Sequence, residues 1–248
     1  MTSHHPSRIA PTLAPVVLVA VGLAAAASQA MSRAERAFSG SEVFADQGGV
    51  EIVSGDADSA IETDVQSGGA IVITDSAGVS AANDPFPEDG FECVAIDSTR
   101  ARCDFPSDGG LEAFLGAGDD VLTADRAMPG QLVGTGGSGR DTVVLPIGSE
   151  LLLRFRGNKG ADVIAGASAR DLLRGGPGAD LLRGRAGVDV VNGKTGGDRL
   201  FGGSGGDSLR ARHGDRDKRI DCARGADRAT IDRRVDPRPV SCEDVHRS

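Results

Sequence analysis

An aliphatic residue recurs every nine residues between residues 157 and 210, and most positions between these residues are glycine or polar. Within each nine-residue unit, positions seven to nine are long enough for one short strand. Alternate side chains of a strand point to opposite faces, so the central residue of the three faces one side alone. The pattern predicts six short strands, each of which buries one side chain: Ile164, Leu173, Leu182, Val191, Leu200 and Leu209.

A looser alternation of apolar and polar residues covers residues 38–115. Segments 50–53, 70–74 and 91–96 are each apolar at alternate positions or nearly continuously, and glycine or aspartate turns separate them. Such short runs between turn residues are typical of strands. No long segment has the period of a helix, so we predict an all-β fold.

The nine-residue units also share polar and glycine positions. Position one is glycine in all six units and position four is glycine in five, with Ala169 as the exception. Looser copies lie upstream at 116–122 and 136–143, where Asp120 and Asp141 stand 21 residues apart. Position six is always aspartate: Asp162, Asp171, Asp180, Asp189, Asp198 and Asp207.

This pattern resembles the RTX nonapeptide, the hemolysin-type calcium-binding repeat GGxGxDxUx. Units 175–183 and 202–210 match it at every position, and the resemblance covers 116–210. It implies a parallel β-roll of two units per coil, with Ca²⁺ between the turns of units n and n+2. The aspartate pairs 162/180, 171/189, 180/198 and 189/207 would then bracket up to four ions. The implied calcium-site residues are Asp120, Asp141, Asp162, Asp171, Asp180, Asp189, Asp198, Asp207, Gly157, Gly160, Gly175, Gly178, Gly193, Gly196, Gly202 and Gly205.

Elementary chemistry supports calcium at such a site. Glycine permits positive φ angles and close backbone approach, and aspartate supplies the hard oxygens that Ca²⁺ prefers. Coils of a parallel solenoid lie about 4.8 Å apart. Two bare carboxylates at that distance repel by roughly 1–3 kcal/mol. A bound cation removes this repulsion, so we predict that calcium orders the segment.

Departures from the motif leave an alternative open, a solenoid without metal. Position two is a residue other than glycine in four units, at Asn158, Ala167, Arg185 and Lys194. Basic side chains offer a second way to neutralise the aspartates. Seven of them crowd the repeat: Arg170, Arg174, Arg183, Arg185, Lys194, Arg199 and Arg210.

The first thirty residues have the pattern of a secretory signal peptide. Arg8 precedes an apolar run at 13–27, and small residues at Ser28 and Ala30 predict cleavage after Ala30. The alternative is a membrane anchor, but the run is shorter than the roughly 20 residues that a span requires. We therefore predict a secreted protein with no transmembrane span in its mature chain.

The four cysteines, Cys93, Cys103, Cys222 and Cys242, allow three disulfide pairings. Proximity in the sequence favours 93–103 and 222–242. The predicted organisation is a signal peptide at 1–30, a β-rich region at 31–115, the repeats at 116–210 and a disulfide-closed cap at 211–248. This tail and the excess of 24 Arg over 3 Lys resemble exported actinobacterial proteins of the repeat family.

Composition limits the possible functions. The chain has no Trp or Tyr and only 8 Phe, which disfavours aromatic platforms for bases, so no nucleic-acid partner is predicted. The net charge is −9, to which residues 31–156 contribute −14 and the six strict units +2. The repeat itself is therefore not acidic, and ion binding there would depend on the local stacking of its aspartates. Residues 31–115 are too short for the usual catalytic domains of exported hydrolases and contain no HExxH or GxSxG motif. We predict a non-catalytic module with a cell-surface or self-association partner; the alternative is an exported hydrolase that carries an RTX region.

Overall fold

The computed structural model describes residues 41–46, 49–55, 57–66, 69–81, 93–96, 98–103 and 109–247. The predicted signal peptide at 1–30 lies outside these residues. The described part of the chain is built from strands and turns, contains no helix, and therefore has no helix that could span a membrane. The predicted all-β class is confirmed.

Twenty-one strands follow one another along the chain. They are β1 (Ser41–Asp46), β2 (Gly49–Ser54), β3 (Ala60–Val65), β4 (Ile71–Asp75), β5 (Val79–Ala81), β6 (Cys93–Ala95), β7 (Arg100–Cys103), β8 (Gly110–Phe114), β9 (Val121–Thr123), β10 (Gln131–Ser138), β11 (Thr142–Val144), β12 (Leu152–Lys159), β13 (Val163–Ala165), β14 (Leu172–Arg174), β15 (Leu181–Ala186), β16 (Val190–Asn192), β17 (Arg199–Ser204), β18 (Ser208–Arg210), β19 (Arg219–Arg224), β20 (Arg228–Ile231) and β21 (Asp244–Arg247).

The strands form two sheets that alternate along the chain. Sheet one has the order β21-β20-β18-β16-β14-β12-β10-β8-β2-β1-β5, and sheet two has the order β19-β17-β15-β13-β11-β9-β3-β4-β7-β6. From β8 to β20, each strand pairs in parallel with the strand two places further along the chain. One strand from each sheet makes one coil, so the architecture is the predicted parallel β-solenoid.

The amino-terminal region joins the same sheets. Strands β2 and β3 pair in parallel with β8 and β9 and form the first coil. Beyond them antiparallel pairs appear, β2 with β1 on sheet one and β3, β4, β7 and β6 in succession on sheet two, while β5 pairs in parallel with β1. The change of direction ends the solenoid with hairpin-like strands rather than with another coil.

The core lies between the two sheets and is one residue wide in each strand of the repeats. The six side chains at position eight are fully buried, as predicted, and stack in register; Leu173, for example, lies beside Val191 and then Leu209. Upstream coils add larger side chains such as Phe155 and Leu153. The aliphatic column explains how a chain almost without aromatic residues builds a continuous core.

Close stacking of the coils requires glycine at position four. Gly178 has a φ of 151°, and a Cβ atom there would lie 1.5 Å from the carbonyl oxygen of Gly160 in the preceding coil. Gly205 repeats this contact against Gly187 with a φ of 138°. These glycines set the distance between neighbouring turns and hence between neighbouring aspartates.

Two disulfides join strands near the two ends of the described chain. Cys93 of β6 bonds to Cys103 of β7, directly opposite it, and Cys222 of β19 bonds to Cys242. These are the pairings that sequence proximity favours. The second disulfide holds the final segment against β19, where Asp221 also forms an isolated bridge with Val240.

Candidate metal centre

Each coil has two turns, and the turns stack into two edges of the solenoid. We call the turns that lead from sheet one to sheet two the first turn edge, and those that lead back from sheet two to sheet one the second turn edge. The aspartates at position six fall alternately on these edges. Asp162, Asp180 and Asp198 lie on the first edge, and the other three aspartates of the strict units lie on the second.

The first turn edge carries a continuous ladder of backbone-to-aspartate hydrogen bonds. The backbone N–H of Asp162 donates to Oδ1 of Asp180 at 2.9 Å, and that of Asp180 donates to Oδ1 of Asp198 at 2.9 Å. The ladder extends in both directions beyond the strict repeat. Its remaining rungs are Ser59 to Asp120 (2.8 Å), Asp120 to Asp141 (3.2 Å), Asp141 to Asp162 (2.9 Å), Asp198 to Asp217 (2.8 Å) and Asp217 to Asp236 (3.2 Å).

The second turn edge carries a shorter ladder of the same kind. It begins where the N–H of Leu153 donates to Oδ1 of Asp171 at 2.8 Å. It ends where the N–H of Asp227 donates to Oε2 of Glu243 at 2.8 Å. The rungs between are Asp171 to Asp189 (2.8 Å), Asp189 to Asp207 (2.9 Å) and Asp207 to Asp227 (2.7 Å).

The second carboxylate oxygen of most ladder aspartates has no hydrogen-bond partner, although these residues are at most 2% exposed. Leaving a buried polar atom unpaired is costly, and a buried carboxylate is the most costly case. The unpartnered atoms are Oδ2 of Asp120, Asp141, Asp162, Asp180, Asp189, Asp198, Asp207 and Asp227. Each of them can therefore accept a cation or a proton.

These oxygens face the glycines at position one. A Cβ atom on Gly175 would lie 2.0 Å from Oδ2 of Asp180 and 2.6 Å from the carbonyl oxygen of Gly193 in the next coil. The same atom on Gly184 would lie 2.3 Å from Oδ2 of Asp189 and 2.7 Å from the Gly202 carbonyl oxygen. Glycine thus leaves a space that carboxylate and carbonyl oxygens line, and such hard oxygens are the ligands of Ca²⁺.

Burial raises the pKa of these carboxyl groups. It brings the pKa of Asp180 to about 7, and the neighbouring carboxylates of Asp198 and Asp162 add to the effect. The backbone N–H of Asp162, which donates to Oδ1 of Asp180, lowers this pKa, but burial outweighs it. Burial likewise raises the pKa of Asp120 and Asp189 to about 7. The metal-free ladder therefore binds protons strongly, as expected where positive charge is lacking.

Asp171 is the exception among the six aspartates of the strict units. Its Oδ2 accepts a hydrogen bond from the backbone N–H of Ala167 at 3.0 Å, so both of its carboxylate oxygens are partnered. Left-handed backbone occurs at the other non-glycine residues of position two, with φ of 72° at Asn158, 81° at Arg185 and 74° at Lys194, but not at Ala167. The turn 166–171 therefore differs in shape from the others.

The structure places additional acidic residues on the ladders that the sequence pattern did not identify. Asp217 and Asp236 extend the first edge, and Asp227 and Glu243 extend the second. A sequence signal for one of them exists: residues 222–230 keep a glycine at position four and an aspartate at position six. In the described chain no three His, Cys, Asp or Glu side chains cluster as a conventional metal site, so backbone carbonyl oxygens must complete any coordination.

Comparison with protein families agrees with this arrangement. Residues 156–191 and 192–215 match the model of the RTX calcium-binding nonapeptide repeat in four copies, over about a quarter of the chain. No curated protein and no solved structure matches the chain. RTX nonapeptide repeats bind calcium, and the buried aspartate ladders fit that ion. The chain is thus a β-solenoid that contains calcium-binding repeats.

Proposed function

We propose that this protein is a secreted, non-catalytic binding module whose solenoid is ordered by extracellular calcium. The observation that carries the proposal is the pair of ladders of buried aspartates, most of which keep one carboxylate oxygen without a partner. In a solenoid these oxygens recur in successive coils, so the cost of burying unpaired carboxylates recurs along the stack of coils. A divalent cation bound at the turns would neutralise these carboxylates in each coil.

The proposed ligands are the free Oδ2 atoms together with the carbonyl oxygens at position one of the next coil. On the first turn edge the strict repeat supplies Asp162, Asp180 and Asp198, and on the second it supplies Asp189 and Asp207. Asp120 and Asp141 extend the same arrangement upstream, and Asp227 extends it downstream. Bound calcium would supply fixed positive charge between turns; the chain supplies the spacing, through glycine at positions one and four.

Secretion is supported by two observations. The sequence has a signal-peptide pattern at 1–30, and all four cysteines are joined in two disulfides, which persist in oxidising compartments. Calcium outside cells is in the millimolar range that weak sites of extracellular modules require. The solenoid would therefore be completed after export. We assign no catalytic role, and the binding partner would lie on a cell surface or on another copy of the chain.

Calcium-dependent order can be tested on the purified protein. We expect thermal unfolding in millimolar calcium to occur at a clearly higher temperature than in EDTA, and magnesium to give a much smaller shift because it demands a tighter octahedral site. Circular dichroism follows both states. The matched variant is Asp180→Asn, which removes one free carboxylate of the first edge and should reduce the calcium-induced shift. Identical unfolding in calcium and EDTA would instead support the metal-free solenoid.

A further inference from the structure

Arg185 is a basic residue in a position that the repeat pattern reserves for glycine. It occupies position two of unit 184–192 with a φ of 81°, a left-handed conformation that residues with a Cβ atom rarely adopt. Lys194 occupies the equivalent position on the first turn edge with a φ of 74°. The two residues share charge and backbone strain, but their side chains differ in what they contact.

The guanidinium group of Arg185 reaches along the second turn edge towards the preceding coils. Its Nη1 atom donates to the carbonyl oxygen of Leu145 at 2.6 Å and to that of Gly166 at 2.9 Å. Gly166 is position one of its unit, and Leu145 aligns with it one coil earlier, because Val144 pairs with Ala165. These are the carbonyl oxygens that line the candidate cation spaces in the other turns.

Asp171 follows Gly166 in the same turn and is the only aspartate of the strict units without an unpartnered oxygen. The positive charge of Arg185 acts on Asp171 and favours its ionised form. No aspartate occupies the aligned position one coil earlier, where Leu153 lies fully buried. Arg185 thus lies where the second ladder begins and where a carboxylate from the preceding coil is lacking.

We propose that the guanidinium of Arg185 takes the place of a calcium ion at the turn 166–171, so that this turn is held without metal. The inference rests on the proposed function, since it supposes that the other turns bind calcium. It lowers the expected ion count on the second edge, because the guanidinium already occupies the position-one carbonyl oxygens of Leu145 and Gly166 where this ladder begins. It also gives the second edge a cation that neither chelation nor low calcium removes.

Restoring the repeat motif tests the proposal by a gain of binding. The triple variant Ala167→Gly, Ala169→Gly, Arg185→Gly makes units 166–174 and 184–192 match the motif at the glycine positions. Its matched control, Ala167→Gly, Ala169→Gly, keeps Arg185. We expect equilibrium dialysis against calcium, with metal analysis, to show one additional ion per chain in the triple variant and none in the control. No gain in the triple variant, or the same gain in both, would overturn the proposal.

Stability in EDTA gives a second test that needs no calcium. Arg185→Met removes the internal cation, and Lys194→Met removes an equally strained basic residue for which the structure shows no contact with a carbonyl or carboxylate group. We expect a lower melting temperature for Arg185→Met than for Lys194→Met in EDTA. Equal melting temperatures would contradict a structural role for the guanidinium. If wild-type protein binds no calcium while this difference is observed, the proposed function fails and the internal-cation role stands.

Discussion

The two turn edges of the solenoid use the same backbone turn but satisfy its carboxylates differently. On the first edge an aspartate ladder runs from Asp120 to Asp217, and five of these six residues have an unpartnered oxygen. On the second edge the ladder starts only at Asp171, whose two carboxylate oxygens accept hydrogen bonds from the Leu153 and Ala167 amides. The comparison shows that aspartate at position six recurs in the turns of both edges, whereas the partner of its second carboxylate oxygen differs between turns.

The two edges should be equally sensitive to replacement of a position-four glycine, because this glycine sets the distance between coils on both edges. Gly178 on the first edge and Gly205 on the second have left-handed φ angles, and a Cβ atom on either would lie 1.5 Å from a carbonyl oxygen. We expect alanine at either position to destabilise the protein by about 4 kcal/mol or more, because the backbone contact cannot relax. Denaturant unfolding measures this loss.

Gly206→Ala is the control for these two variants. A Cβ atom at Gly206 would meet only the Ala226 carbonyl oxygen at 3.5 Å, an ordinary contact. We expect a change within about 0.5 kcal/mol. A loss as large as that of Gly178→Ala would show that alanine disturbs these turns for a reason other than close backbone approach.

Proton binding in EDTA distinguishes Asp180 of the first edge from Asp171 of the second. Burial raises the pKa of Asp180 to about 7 and that of Asp171 only to about 6, from 3.8. Between these values and 3.8 the folded chain holds more protons than the unfolded chain. Stability without calcium is therefore greatest below about pH 4 and falls as the pH rises through about 7. Melting temperatures across this range should decrease.

Variants assign this pH dependence to individual aspartates. Asp180→Asn should remove more of the decrease than Asp171→Asn, because the Asp180 carboxyl has the higher pKa and lacks the arginine. Calcium should oppose the decrease, since it binds the ionised form and competes with protons. A melting temperature that rises with pH in EDTA would contradict the assignment of raised pKa values to the ladders.

The disulfides distinguish the two ends of the structure. Cys222 occupies the place of the position-one glycine in the last unit of the second edge, and its bond to Cys242 closes 20 residues, against 10 for Cys93–Cys103. In the chain-entropy description, removing a bond that closes a loop of this size costs roughly 3 kcal/mol, with the longer loop costing slightly more. We expect Cys222→Ser, Cys242→Ser to lower stability more than Cys93→Ser, Cys103→Ser.

Unfolding midpoints in denaturant compare the two double variants directly. Because the Cys222–Cys242 bond lies at the end of the second ladder, its loss should also weaken protection of the β19 and β20 amides from hydrogen exchange, whereas loss of the other bond should not. Equal protection in both variants would argue that the final segment is held by strand pairing alone.

Much of the fold could be predicted from the sequence, because each nine-residue unit contains both a core residue and a site aspartate at fixed positions. When two units form one coil, the aliphatic residues at position eight and the aspartates at position six both stack in register. Asp217 and Asp227 were missed for a physical reason: the turn 211–218 is two residues longer than the turn 193–198, so the count from Asp207 fails although the strands remain paired. Cys222 in a glycine position hid the last unit further.

The role of Arg185 was beyond sequence reasoning of this kind. Its unit shows a basic residue at position two, and so does the unit of Lys194, with nothing in either motif to separate them. The difference arises because the Arg185 side chain extends across more than one coil and contacts Leu145, which is 40 residues earlier in the chain. Irregular upstream coils, which the repeat does not encode, supply that partner.

Replacing these two basic residues by glycine gives the sharpest contrast between the edges, and Lys194→Gly has the smallest expected effect. Lys194→Gly relieves left-handed strain and restores the motif, so we expect a gain of about 1 kcal/mol in the free energy of unfolding. Arg185→Gly relieves similar strain but loses two charge-assisted hydrogen bonds, each worth about 1.5–3 kcal/mol, so we expect a net loss. Denaturant unfolding in EDTA measures both. Opposite signs of the change in the free energy of unfolding would show that the contacts of Arg185 outweigh its backbone strain, whereas Lys194 has no such compensation. Equal gains in both variants would show that Arg185 contributes no more to stability than Lys194.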